Sequence, residues 1–148
     1  MEENIFRTQK GYALIDDNKI TSSMEDYLEM IYRSCEETGY IHMGRLAKLL
    51  NVKAPSASKM AAILKKEGLI SYEKYGVISL TEEGLCFAKY LLYRHNVIEA
   101  FFSIINPETS FKETEQIEHY IKKETVWALE KLTAFLDSKK KELEEFMK

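Results

Sequence analysis

The chain has 148 residues, 45% apolar and 30% charged, with a formal net charge of −3. That suffices for one domain or two small ones, is too short for a TIM barrel, and is too rich in apolar residues for wholesale disorder. No apolar run approaches the roughly 20 residues of a membrane helix, and the N-terminus lacks the apolar core and small-residue cleavage site of a secretory signal, so a cytoplasmic protein with no membrane partner is expected.

Residues 1–20 carry little helical periodicity. Gly11, the Asp16-Asp17-Asn18 cluster and the short apolar run Tyr12-Ala13-Leu14-Ile15 predict a loose arm with a short strand at most. Regular structure is expected to begin at Thr21-Ser22-Ser23, where a serine cap precedes first-turn acids. Met24, Tyr27, Leu28, Ile31 and Tyr32 then recur at helical spacing as far as Gly39. A second helical stretch, Ile41 to Leu50, is followed by a break at Asn51-Val52-Lys53-Ala54. Pro55 opens a third helix, tolerated there because a first-turn N–H has no partner to lose, and Ser56 to Lys66 completes it before Gly68. Leu69 to Leu80 alternates around a central turn and reads as a β-hairpin. Thr81-Glu82-Glu83 caps a long helix to about Ile105, which Asn106-Pro107 breaks. Two more helices are expected, Lys112 to Lys123 and Thr125 to the C-terminus. Cys35 and Cys86 are far apart and form no C-x-x-C pair, so both read as free thiols in a reducing compartment.

Charge is unevenly spread. Residues 1–39 carry −5, residues 40–80 carry +5 and residues 81–148 carry −3. The basic island coincides with the order helix, helix, turn, helix, hairpin, which is that of a winged helix-turn-helix. Such a unit offers the N-terminal residues of its last helix to base edges, while the preceding helix and the wing meet phosphate. Candidate double-stranded DNA contacts are Arg45, Lys53, Ser56, Ser58, Lys59, Lys65 and Lys74. Small hydroxyl side chains at 56 and 58 allow close approach, and Lys59 has the reach for a phosphate or a guanine edge. A lysine-rich solvated face, or a winged helix that docks protein, would show the same pattern.

A second constellation is acidic. Asp26 and Glu29 share one face of the first helix, and Glu115, Glu118 and His119 form E-x-x-E-H, which a continuous helix would also place on one face. His95, in Tyr93-Arg94-His95, adds an imidazole. Like charges this close destabilise a helix unless something offsets them, and a bound cation is one such partner. Carboxylates with a little nitrogen favour Mn²⁺ and, with less discrimination, Fe²⁺; without a thiolate the case for zinc is weaker. An ordinary exposed acidic face remains open on spacing alone.

Six separated segments, in order, resemble the manganese-transport-regulator branch of the diphtheria toxin repressor family of metal-dependent transcriptional regulators. They are Ser23-Met24-Glu25-Asp26-Tyr27-Leu28-Glu29-Met30-Ile31-Tyr32, Ser56-Ala57-Ser58-Lys59-Met60, Tyr72-Glu73-Lys74-Tyr75, Leu80-Thr81-Glu82-Glu83-Gly84, Tyr93-Arg94-His95 and Glu115-Gln116-Ile117-Glu118-His119. The resemblance implies a mainly α fold: an N-terminal winged helix-turn-helix with a hairpin wing over 21–81, then a helical metal-binding and dimerisation domain over 82–148, with no SH3-like domain. It implies a homodimer on a palindromic operator, Mn²⁺ as cofactor with Fe²⁺, Zn²⁺ or Cd²⁺ as substitutes in vitro, and no small organic ligand. The implied ligands are Asp26, Glu29, His95, Glu115, Glu118 and His119, with Glu118 bridging two ions and Glu99 behind His95. Iron-preferring relatives carry methionine and cysteine at the positions of Asp26 and Glu115, softer ligands for a softer metal. The chain departs from close relatives at Tyr120, where a second histidine can stand, and in residues 1–20, which have no counterpart.

The expected function is therefore a manganese-responsive regulator, most simply a repressor of metal-uptake genes. An iron-responsive regulator of the same family is the alternative. A di-metal carboxylate enzyme fits less well, because such sites use paired E-x-x-H motifs that this chain lacks, so no enzymatic activity is expected.

Overall fold

The structure, a computed structural model, describes residues 19–148; the predicted arm of residues 1–20 lies almost wholly outside them. The chain divides into two compact units, one ending at Leu91 and the other running from Leu92 to Lys148.

In the first unit, α1 spans Ser22–Thr38. Its cap is Thr21 rather than a serine: the hydroxyl accepts from the Met24 N–H at 3.3 Å. The helix ends at Gly39, whose φ of 78° lets its N–H turn back to the Cys35 carbonyl. Met24, Tyr27, Leu28 and Ile31 face inward, as the spacing requires. The second expected helix starts later than predicted. Ile41–His42 form a short strand, β1, and only Met43–Leu49 are helical, as α2. Ile41 pairs with Ile78 and His42 with Val77, so an edge that only tertiary structure supplies takes two residues away from the helix.

Asn51, in the left-handed region at φ 52°, makes the turn into α3, Ala54–Lys66. Asparagine tolerates that conformation better than most residues. Pro55 stands in the first turn of α3, as expected. The hairpin follows, with β2 (Ile70–Tyr72) and β3 (Val77–Leu80) in register Ile70↔Leu80 and Tyr72↔Ile78. The sheet order is β1-β3-β2, all antiparallel. Its turn, Lys74–Gly76, holds Tyr75 at φ 70° and Gly76 at φ 74°. Leu28, Ile31, Leu46, Leu64, Leu69, Ile78 and Phe87 are fully buried. Each such side chain contributes about 1.5–3 kcal/mol of transfer free energy, so this core orients α2, α3 and the wing.

The long helix α4, Glu82–Ile105, has the predicted limits. In the second unit its later turns bury Val97 and Ile98 against Val126, with Tyr93, Phe102, Ile121 and Leu129 around them. The expected helix from Lys112 to Lys123 is shorter and earlier. α5 covers Ser110–Ile117, and Glu118–Tyr120 tighten into a 3₁₀ turn in which the Ile121 N–H reaches the Glu118 carbonyl at 3.2 Å. The last predicted helix is two, α6 (Lys123–Ser138) and α7 (Lys140–Phe146), separated at Lys139. The Tyr93 hydroxyl donates to Glu130 at 2.7 Å and ties α6 to α4.

Candidate metal centre and nucleic-acid face

The 3₁₀ turn decides which acidic groups meet. A 3₁₀ step turns the chain by about 120° per residue rather than 100°, so side chains three apart align: Glu118 stays beside Glu115, while His119, four positions on, is turned off that face. Glu118 turns fully inward, 2% exposed, while Glu115 keeps a side chain 48% exposed. From α4, His95 reaches between them, 3% exposed itself. Its Nδ1 lies 2.8 Å from Glu118 Oε2 and 3.5 Å from Glu115 Oε1. Its Nε2 faces Glu99 Oε2 at 3.3 Å, in the supporting position expected for that carboxylate. The ring of Phe111 packs edge-on against the imidazole, centroids 5.5 Å apart, and shields one side of the cluster.

One donor atom from each of His95, Glu115 and Glu118 lies within 4.8 Å of the others. The set is one imidazole and two carboxylates, borderline-hard and without sulfur, and so fits a divalent ion such as Mn²⁺ or Fe²⁺. A buried imidazole with both nitrogens against carboxylates donates at both only as the imidazolium. A divalent ion held by His95, Glu115 and Glu118 would supply that positive charge instead, with Glu99 as the imidazole's second partner.

The other expected ligands are placed differently. His119 directs Nδ1 toward Arg94 Nη2, 3.3 Å away, rather than into the three-residue cluster. Asp26 and Glu29 are on α1, in the first unit; Asp26 is exposed, and Glu29 Oε2 lies 3.7 Å from Arg33 Nη2. Sequence reading missed Arg94 and Phe111. The signal for Arg94 was present, a cation placed directly before a candidate ligand, but nothing in spacing predicts its burial.

In the basic island Arg45, Lys48, Lys53, Lys59, Lys65 and Lys66 are exposed. On α3, Ala57, Ala61 and Leu64 point into the core, leaving Ser56, Lys59, Ile63 and Lys66 along the outer face. Arg45 on α2 and Lys53 at the start of α3 are exposed, and Ser58 is half-buried. Lys65 is exposed, but its ammonium donates to the Tyr72 carbonyl at 3.0 Å and braces the wing strand. Lys74 lies in the wing turn. The outer face of α3 also carries Ile63, which the lysine pattern concealed.

A winged helix-turn-helix with a lysine-bearing outer helix, followed in sequence by a helical unit holding a His–Glu–Glu cluster, defines a DNA-binding regulator with a metal-binding module. Two family models match in that order: the iron dependent repressor N-terminal DNA binding domain over residues 19–78, and the iron dependent repressor metal binding and dimerisation domain over residues 81–146. The chain belongs to the iron-dependent repressor family of transcriptional regulators. The HTH-type transcriptional regulator MntR of Bacillus subtilis (strain 168) is 36% identical over 133 residues, covering 86% of this chain and 94% of that protein. MntR of Shouchella clausii (strain KSM-K16) is 42% identical over 103 residues, 68% of this chain and 72% of the relative. Among solved structures, the metal-dependent transcriptional regulator MtsR superposes with a TM-score of 0.69 at 28% identity, and the manganese regulator SloR with 0.65 at 29%. Each is matched over 78% of this chain and 55% of its own length. Among the described residues no helix is long and apolar enough to cross a membrane.

Proposed function

We propose that this chain is a manganese-responsive repressor of metal-uptake genes, binding a palindromic operator as a homodimer when loaded with divalent metal. The observation that carries the reading is the His95–Glu115–Glu118 cluster, whose donors lie within 4.8 Å of one another in the region matched by the family's metal-binding domain. Asp26, Glu29 and His119 are assigned as further ligands on residue type and family resemblance. A pair of ions with Glu118 between them is the fuller form of the proposal. Fe²⁺ is the rival ion, and the carboxylates at 26 and 115 favour Mn²⁺ over it.

The bound ion supplies positive charge to a carboxylate cluster. Without that charge Glu115 and Glu118 repel, as do the acids of α1. With it, that repulsion is relieved, which fixes the DNA-reading units of the dimer at a set spacing. Two recognition helices read successive major grooves about 34 Å apart, or a multiple of that. Fixing them beforehand lowers the ordering cost of binding DNA. A coupling of about 1–3 kcal/mol changes affinity roughly 5- to 150-fold, sufficient for a switch. Arg45, Lys53, Ser56, Ser58, Lys59, Lys65 and Lys74 are the proposed DNA contacts.

The test is operator binding by fluorescence anisotropy at fixed salt, titrating Mn²⁺, Fe²⁺, Zn²⁺ and Cd²⁺ on wild type and Glu118→Ala. Salt is held constant because phosphate contacts make affinity steeply salt-dependent. Affinity is expected to rise at least about tenfold with Mn²⁺ in wild type and to stay flat in the variant. Equal binding in chelator and in metal would leave a DNA reader without a metal switch.

A further inference from the structure

Arg94 immediately precedes His95 on α4 and is 3% exposed. Its Nη2 lies 3.3 Å from His119 Nδ1. A guanidinium carries five N–H donors and no acceptor, so Nδ1 must accept and carry no proton. In the neutral ring the proton then sits on Nε2. Both nitrogens are committed: one lone pair points at Arg94, and the other nitrogen has no in-plane lone pair to give. A metal ligand needs such a lone pair. His119 as it stands therefore has no lone pair to offer a cation, and it is not among the donors that lie within 4.8 Å of one another.

We propose that Arg94 gates the metal site. It holds His119 as the Nε2–H tautomer and competes with the divalent cation for the Nδ1 lone pair, so His119 joins the coordination sphere only when the Arg94–His119 contact breaks. The gate rests on the metal-binding reading above. It makes Arg94 a determinant of metal affinity: loading the site includes the cost of releasing a charge-assisted hydrogen bond. Arg94 also sets a buried positive charge against His119 and next in sequence to His95, which opposes the arrival of a second cation. The geometry and the charge act in the same direction, and the experiment separates them.

The first readout needs no metal. In the metal-free full-length chain, long-range ¹H–¹⁵N correlation spectra of labelled histidine report which ring nitrogen of His119 is protonated. Nδ1 is expected to be unprotonated in wild type and to lose that preference in Arg94→Met. A protonated Nδ1 in wild type overturns the gate. The second readout is calorimetric titration with Mn²⁺. Arg94→Met is expected to tighten binding about tenfold, equivalent to about 1.4 kcal/mol, and to change nothing when made in a His119→Gln background. A gain that survives the loss of His119 reflects general charge repulsion and overturns the gate, as does the absence of any gain. Wild-type protein that binds no Mn²⁺ would remove the metal-binding reading itself, whereas wild type that binds while Arg94→Met binds equally removes the gate alone. Should Arg94→Met fail to fold, Arg94→Gln removes the charge, offers His119 an amide that can accept as well as donate, and carries both measurements with the same expected outcomes.

Discussion

Gly84 sits where a β-carbon has no room: one built there would lie 1.8 Å from the Leu69 carbonyl oxygen. The close approach is organised by Thr81, whose N–H donates to that same carbonyl at 3.1 Å. The Thr81 hydroxyl donates to Gly68 O at 2.7 Å and accepts from Gly84 N at 3.0 Å. The Leu80-Thr81-Glu82-Glu83-Gly84 segment is thus a physical joint between the wing and α4. Because the obstruction is backbone, it cannot swing aside as a side chain would. Gly84→Ala is expected to cost about 1–3 kcal/mol, the usual range for overpacking, read as a lowered urea midpoint with helix content retained. Three residues on α1 bear on pH, and burial raises the Tyr27 phenol among them. Burial raises the Cys35 thiol above its ordinary range, and burial together with the adjacent Glu36 carboxylate raises Tyr32. Groups whose folded-state pKa is raised keep their protons longer in the folded state. Stability is therefore lost as pH climbs from the unfolded values toward the raised ones. Thermal midpoints are expected to decline above about pH 9, and less steeply in Cys35→Ala; identical slopes would show that burial of the thiol does not matter.

At the scale of elements, α3 and the 3₁₀ turn carry the functional consequences. The outer face of α3 places Lys59 away from the core residues Ala57, Ala61 and Leu64, so its removal should not disturb folding. Lys59→Ala is expected to weaken operator binding at unchanged thermal stability. If Lys59 meets phosphate, the slope of log affinity against log salt falls by about one and all sequences suffer alike. If it meets a guanine edge, discrimination at one base pair relaxes instead by about 1–3 kcal/mol. An unchanged affinity would take Lys59 out of the interface. The limits of α1, α3, the hairpin and α4 were legible because their caps and breakers are local: Thr21, Gly39, Pro55 and Thr81 act within a few residues of themselves. β1 was not, since Ile41 becomes a strand residue only by pairing with Ile78, 37 positions away. The end of α5 at Ile117 was equally hidden, because E-x-x-E-H is a good helical pattern and nothing local signals the tighter turn.

At the scale of the molecule, the second unit leaves Phe111, Trp127, Leu132, Phe135 and Phe146 exposed in a single chain. Exposed large apolar side chains are what an interaction surface would cover, and the matched family domain is one of dimerisation. Leu132 and Phe135 are one turn apart on α6. Replacing both by aspartate is expected to shift the protein from dimer to monomer in sedimentation velocity, with helix content kept and operator binding lost. A dimer that survives both changes would move the interface off this part of α6.

The sequence by itself determined the order of the helix-turn-helix, hairpin and long helix, the basic island, the family and the residue types available for a metal, because caps, periodicity, charge and motif spacing are written locally. Only the tertiary structure decided how those types are used. It brought His95 to Glu118 at 2.8 Å across 23 residues, and turned His119 toward Arg94 at 3.3 Å. It set Lys65 to bracing the wing rather than standing free. Those outcomes depend on one 3₁₀ turn and on the packing of α4, and a group's neighbours in space are fixed by burial and backbone geometry summed over distant segments rather than by its neighbours in the chain.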